Sequence, residues 1–405
     1  MRVLHRKLGR DIYANVGVLA LVVLIIALGT GLYIGTGSAQ RILAGSQRAY
    51  YSGYRFADFW VDVKKAPLSA VAAVADLPGV AAVEPRIVFD VILDLPGVVE
   101  PLTGRLISVP ERGFDRVING VCLVRGSGFS PDRDEEIILG EAFAREHNLK
   151  PGDSIELILN RRRESFTIVG TAISPEYVYM VRGEGDFTPD PQHFGILYVK
   201  EKYAREVLDF QGACNQIVGQ VVPGTDKGVE PLLDRIGDML DPYGVLATTP
   251  RERQASHRFL SDEIEGLAVS AVVMPGIFLL VAALVLNILM GRLAERQRTV
   301  VGTLKALGYS DRQVFGHFLA FGVVVGLAGG AAGIIVGVIL THALMNVYRQ
   351  WYEFPAFVYR SYPSLFIVGV TVSVVFAVVG TARGVWRVLK LEPAEAMRPR
   401  PPERG

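Results

Sequence analysis

Cysteine is nearly absent: Cys122 and Cys214 are the only two in 405 residues. Neither lies in a CxxC pair or at metal-ligand spacing, which argues against zinc ribbons, iron–sulfur ligation and thioredoxin-like chemistry. The pair would bond only if both faced an oxidising compartment; two small buried thiols are the simpler reading. A charge of one sign is missing too. Lys and Arg total 42 against 41 Asp and Glu, a net of +1, so no global field favours nucleic acid as a partner. No G-x-x-x-x-G-K-[ST] phosphate loop occurs anywhere, and GTDKG at Gly224 lacks its spacing. His147, His193 and His257 are scattered without ligand spacing, and no nucleophile–base–acid set stands out. These absences lead us to expect no catalytic residues, no metal and no directly bound cofactor. What the chain has instead is apolar residues: they make up 50% of it, and its mean hydropathy is positive. That balance points to a membrane protein.

Residues 1–12 open with a basic stretch, MRVLHRKLGR. From Tyr13 to Ile34 no residue is charged. About 22 residues at 1.5 Å each give roughly 33 Å of helix, enough to cross a bilayer core. GSA before Gln40 resembles a signal cleavage site, but the run outlasts the usual signal core. We read 13–36 as a retained first span.

Residues 37–265 read as a folded α+β domain. Charges, prolines and glycines are scattered, and no apolar run is long enough to span. Strands are expected at Ala57–Val63, Val80–Leu93, Gly104–Val109, Glu136–Leu139, Ser154–Leu159, Ser165–Ala172 and Gly195–Val199. Helices are expected at Leu68–Ala75, Glu141–Asn148, Glu201–Leu208 and Gly228–Leu240. Two copies of DLPGV, at Asp76 and Asp94, punctuate turns. Arg161, Arg162 and Arg163 fall at a hairpin tip, either solvated or touching anionic lipid or a partner. The loop from Ser174 to Pro191, with Tyr177 and Tyr179, is either a substrate lip or a mobile surface loop.

Three more apolar runs follow. The second span covers 266–291, with Pro275-Gly276 offering a kink and Asn287 as its one strongly polar residue. The third covers 315–345 and holds two interleaved ladders: Gly322, Gly326 and Gly330, then Gly329, Gly333 and Gly337. A spacing of four puts each ladder on one helix stripe, where another backbone can approach closely. His342, near its end, reads as an interfacial residue. A connector at 346–363 carries Trp351, Tyr352, Phe354, Phe357, Tyr359 and Tyr362, which read as an interfacial aromatic belt. The fourth span covers 364–383, and a basic tail occupies 384–405.

Positive charge clusters before the first span, between the second and third, and after the fourth. The positive-inside rule puts all three segments in the cytoplasm, with both termini there and residues 37–265 and 346–363 outside. Four spans return the chain to its starting side.

The segment at 292–314 stands out. Leu293, Val300, Val301, Leu304 and Leu307 lie at largely helical spacing and should bury one face, with Arg296, Arg298 and Lys305 mostly off it. Gly308 is a helix stop, and Ser310 with Gln313 forms a capping-box pattern. The expected shape is helix, tight break, helix: a lever between two spans. A basic amphipathic helix lying on anionic lipid is the simpler alternative.

This plan resembles the MacB/FtsX-type permeases of ABC transporters, which include the LolC and LolE subunits of the lipoprotein-release machine. AERQRTVVGTLKALGYSDRQV is similar to the family's ER-x-x-E-I-G-x-L-[RK]-A-[LF]-G-x-[ST] stretch, matching at Glu295, Arg296, Gly302, Leu304, Lys305, Ala306, Leu307, Gly308 and Ser310. Val300 stands where the family has an acidic residue. The tail LEPAEAMRP is like the family's P-x-E-A-[LM]-R ending, at Pro393, Glu395, Ala396, Met397 and Arg398. LGEAFAREHNLKPGDSI resembles part of the family's extracytoplasmic domain. The resemblance implies a four-helix membrane protein in the bacterial inner membrane, with an α+β MacB-like periplasmic core inserted between spans one and two. It implies a separate ABC-type ATPase that uses the ATP and grips these residues together with Arg298. It also implies a second permease copy or paralogue, contact with membrane lipid and a periplasmic adaptor. Two activities follow: export or extraction of a lipid, lipoprotein or other hydrophobic substrate, or FtsX-like mechanotransmission to an outside hydrolase.

Overall fold

The computed structural model describes residues 9–389, except 12, 99, 161, 184 and 225–227. Lys390 and the P-x-E-A-[LM]-R-like tail lie outside the described residues. The chain forms two compact units: one of Ile42 and earlier residues, Ile264–Val347 and Tyr359 onwards, the other of Leu43–Glu263 and Tyr348–Val358.

The first unit is helical. Its long helices are α1 (Val16–Gly53, up to Ile42), α6 (Ala255–Arg296, from Ile264), α8 (Asp311–Trp351, to Val347) and α9 (Pro363–Leu389). Each is long and apolar enough to cross a membrane. All extend beyond the apolar runs read from sequence, and α6 stays helical through Pro275. Glycine decides the packing. A methyl group added at Gly326 would lie 2.7 Å from Val374 Cα, and one at Gly322 would lie 2.9 Å from the Ala377 oxygen; Gly330 faces Val370. That ladder therefore packs on α9. The second ladder packs on α1: methyls at Gly329, Gly333 and Gly337 would lie 2.6, 2.5 and 2.6 Å from Ile26, Thr30 and Ile34. The hydroxyls of Thr30 and Ser373 meet between α1 and α9, one donating to the other, while the accepting hydroxyl gives its own proton to a carbonyl one turn back in its helix, Ile26 for Thr30 or Gly369 for Ser373. His342 is exposed, its Nδ1 donating to the Val338 carbonyl at 2.8 Å.

The second unit has two sheets. The smaller is antiparallel, in the order β11 (Val245–Pro250), β1 (Phe59–Pro67), β10 (Ala213–Val221), β2 (Val80–Arg86). Helices α2 (Leu68–Ala75) and α5 (Glu230–Leu240) cover it, burying Val71, Val74, Leu233 and Ile236 against Phe59, Val61 and Ile217. The larger sheet runs β5 (Cys122–Gly126), β8 (Arg162–Ile173), β6 (Glu136–Gly140), β9 (Phe194–Lys200), β4 (Leu102–Val109), β3 (Val88–Asp94), β7 (Ser154–Leu159). β8 also pairs with β7, so six of these strands form a closed ring with β5 appended. Helices α3 (Glu141–Glu146) and α4 (Glu201–Val207) share its core through Phe143, Tyr203 and Ala204.

A buried ion pair staples the sheets. Arg86, ending β2, makes two bonds to the Glu176 carboxylate, at 2.6 and 2.8 Å, and Trp60 Nε1 donates to the same carboxylate at 2.6 Å. Burial pulls the Arg86 pKa down, but the adjoining carboxylate overrides it and leaves it raised.

Several expectations change. Val80–Leu93 is not one strand. Ile87 interrupts it, its N–H donating to the Ser108 hydroxyl, so β2 joins one sheet and β3 the other. Strands β5, β10 and β11 went unread. The Ser174–Pro191 loop is partly packed into the domain: Ser174, Glu176, Val178 and Val181 are buried, while Phe187 is exposed. At the hairpin, Arg161 lies outside the described residues, while Arg163 pairs with Asp94 and Glu156 at 2.9 and 3.2 Å. The connector is not simply an interfacial belt. Tyr348–Val358 packs within the second unit, where Glu353 pairs with Arg145 at 2.9 Å, Phe354 meets Tyr50 and Tyr352 meets Tyr179. Cys122 and Cys214 are both free thiols. Burial pushes the Cys214 thiol up to about 11.

Candidate coupling interface between the second and third spans

α6 ends at Arg296 because Gln297 leaves the helical conformation, at φ −91° and ψ 10°. A short helix, α7, then runs from Arg298 to Ala306. Its end is closed by backbone bonds: Leu307 N–H to the Thr303 carbonyl at 3.0 Å, Gly308 N–H to Lys305 at 3.0 Å and Tyr309 N–H to Leu304 at 3.1 Å. Gly308 has φ +93°, a left-handed conformation that any side chain would strain. α8 then starts under a reciprocal cap. Ser310 N–H donates to Gln313 Oε1 at 3.0 Å, and Gln313 N–H donates to Ser310 Oγ at 3.4 Å.

The apolar residues of α7 divide in a way their spacing did not show. Val301 is buried, in one cluster with Met290, Ala294, Val314 and Phe318 of α6 and α8. Leu293 and Leu304 are half-buried. Val300 and Leu307 are 45% and 73% exposed. The expected single buried face is therefore wrong. Val301 points between the two long helices, while Val300, Thr303 and Leu307, at i, i+3 and i+7, form a stripe on the open side. Lys305 was also misjudged. Its side chain is only 9% exposed, and its Nζ lies 2.7 Å from Asp311 Oδ1, bracing α7 against the first turn of α8. Sequence reasoning overlooked Asp311, although its position just after the cap was a usable signal.

The remaining expected site residues are spread around the segment. Glu295, Arg296, Ala306, Leu307, Gly308 and Ser310 are exposed, Arg298 is half-buried and Gly302 is buried. The open side thus offers aliphatic contact at Val300 and Leu307 beside the cation Arg296. Among the described residues no three His, Cys, Asp or Glu side chains converge as a metal set.

The profile described as FtsX-like permease C-terminal matches residues 272–393, covering this segment and the helices on both sides. The profile described as MacB-like periplasmic core domain matches residues 18–230, more than half of the chain. The chain belongs to the MacB/FtsX-type permease family. With its four apolar helices, this family membership makes it a multi-pass inner-membrane protein. Among relatives of this permease, the lipoprotein-releasing system transmembrane protein LolC of Xylella fastidiosa (strain 9a5c) is 24% identical over 278 residues, 65% of this chain and 64% of the relative. LolC of strain Temecula1 is 23% identical over the same shares. The permease thus spans just under two thirds of the length of these curated relatives. Among solved structures, the periplasmic region of MacB from Actinobacillus actinomycetemcomitans is 12% identical, with 53% of this chain and 95% of that one covered and a TM-score of 0.32. The extracellular domain of the ABC-type transporter YknZ from Gram-positive bacteria is 11% identical, with 46% and 89% covered and a TM-score of 0.30.

Proposed function

We propose that this permease is the membrane subunit of an ABC-type transporter, and that residues 292–314 are the contact through which a separate ATPase drives it. ATP is bound by that partner and not by this chain. The observation that carries the reading is the braced α7: anchored by Val301, stopped at Gly308 and tied by Lys305 to Asp311, it presents Val300, Thr303 and Leu307 outward. A braced element passes on a push that a loose loop would absorb. Helices α1, α6 and α8 each contribute residues to both units, so a displacement at α7 has continuous helix to follow.

The positive-charge pattern supports cytoplasmic termini and a cytoplasmic α7, with the second unit on the far side. A second copy or a paralogue completes the membrane assembly, and a periplasmic adaptor is a further partner. The cargo is a lipid, lipoprotein or other hydrophobic molecule. The likeness to LolC proteins supports export or extraction over the alternative, FtsX-like relay of motion to an outside hydrolase.

The test is affinity purification of the tagged chain from its native membranes, followed by identification of what accompanies it. An ATPase carrying a phosphate loop should co-purify, and the chain freed of it should not hydrolyse ATP. Hydrolysis by the chain alone would overturn the proposal. An accompanying adaptor supports export, whereas an accompanying hydrolase supports the relay.

A further inference from the structure

Arg292 and Arg383 end the apolar runs of α6 and α9 at one end of the helical unit. The two helices touch there: a methyl group on Gly291 would lie 3.3 Å from the Gly384 carbonyl oxygen. Beside this close contact the two helices leave a cleft of about 750 Å³. Ile288 and Arg292 lie four residues apart on one wall, and Val379 and Arg383 four apart on the other. Each wall therefore sets an exposed aliphatic side chain one turn from an exposed guanidinium. Ile288 and Val379 are 58% and 57% exposed. Among the described residues, neither arginine has an ion-pair partner.

An occupant that satisfies both levels needs an apolar body and an anionic end. A soluble anion meets only the arginines, and an apolar helix meets only Ile288 and Val379. Trp386 lines the cleft near the cations, and its amphipathic indole suits the bilayer interface. Glu295 also lines it, so among the described lining residues two guanidiniums accompany one carboxylate and positive charge is in excess. That excess suits a single phosphate without an ammonium group.

We propose that this cleft binds the headgroup of an anionic phospholipid of the phosphatidylglycerol class, with the acyl chains running along Ile288 and Val379. The site shares Arg292 and Glu295 with the segment proposed as the ATPase contact, but it needs only that α6 and α9 lie in a bilayer.

The test is native mass spectrometry of the full chain with its co-purifying partners, after partial delipidation and titration with phosphatidylglycerol or phosphatidylcholine. The wild type should prefer phosphatidylglycerol by about tenfold or more. The Arg292→Gln/Arg383→Gln double variant should lose that preference. So should Ala382→Phe, which fills the cleft but keeps both arginines. Circular dichroism and elution volume report folding, and if one variant fails to fold the other decides. Equal preference in wild type and a folded variant would overturn the proposal. So would equal binding of the two lipids, or inorganic phosphate at millimolar concentration displacing the lipid completely. Loss of a soluble partner from the double variant with lipid preference intact would assign the cleft to protein docking instead.

Discussion

Glu176 shows what one side chain does in this fold. Its carboxylate takes two bonds from Arg86 and one from Trp60, joining strands of the small sheet to the segment leaving the large one. Glu176→Gln would leave the Arg86 guanidinium buried without its counter-charge, at a cost of about 3–5 kcal/mol. Thermal unfolding of the purified full chain checks this; an unchanged midpoint would mean the pair is dispensable. His193 offers a pH test. Its ring lies 2.7 Å from Glu100 and 2.9 Å from Asp190. Glu100 and then Asp190 raise its pKa above the ordinary 6.5. A raised histidine pKa means the contact stabilises fully below the unfolded value and is lost as pH rises through the folded one. The His193 ring resonance should titrate above 6.5, and Glu100→Gln should lower the midpoint. A midpoint at or below 6.5 in the wild type would contradict the geometry. None of these contacts was legible in sequence. Glu100 and His193 are 93 residues apart, and Arg86 and Glu176 are 90 apart. The pairing of β4 with β9 brings the first pair together, and the packing of the two sheets brings the second.

Elements were more legible where burial is periodic or composition extreme. The four apolar runs, the Gly308 stop and the Ser310–Gln313 cap were all readable, because each rests on nearby residues. β10 was not. It is an inner strand, yet it reads ACNQIVGQV, because Gln216 bonds Arg86 and Asp62 while Asn215 bonds the Val88 backbone. Those long-range partners replace the apolar alternation that marks a strand. α7 failed differently: helical spacing found its apolar residues but could not say that two neighbouring helices bury only Val301. The glycine ladders allow a sharper test. Gly326 and Gly316 share α8, but a methyl at Gly326 meets Val374 Cα at 2.7 Å, while nothing lies within 4 Å of one at Gly316. Gly326→Ala should destabilise by about 1–3 kcal/mol through overpacking. Gly316→Ala should be neutral or stabilising by about 0.5–1 kcal/mol. Melting midpoints in the same detergent check both. Equal effects would mean the ladder does not set the helix spacing.

At the scale of the molecule, the permease carries an α+β unit inserted after its first span and a braced helix between its second and third. In the function proposed above, a partner ATPase grips the open side of that helix. Leu307 is the best residue to change. It is 73% exposed, so Leu307→Asp alters the contact face without disturbing the Val301 anchor, whereas the half-buried Leu304 would confound the two. The deciding measurement is the affinity of the purified permease for its co-purified ATPase, wild type against Leu307→Asp, with the melting midpoint measured in parallel. The expected result is a loss of about tenfold or more in affinity with the midpoint unchanged. Undiminished affinity in the folded variant would contradict the claim.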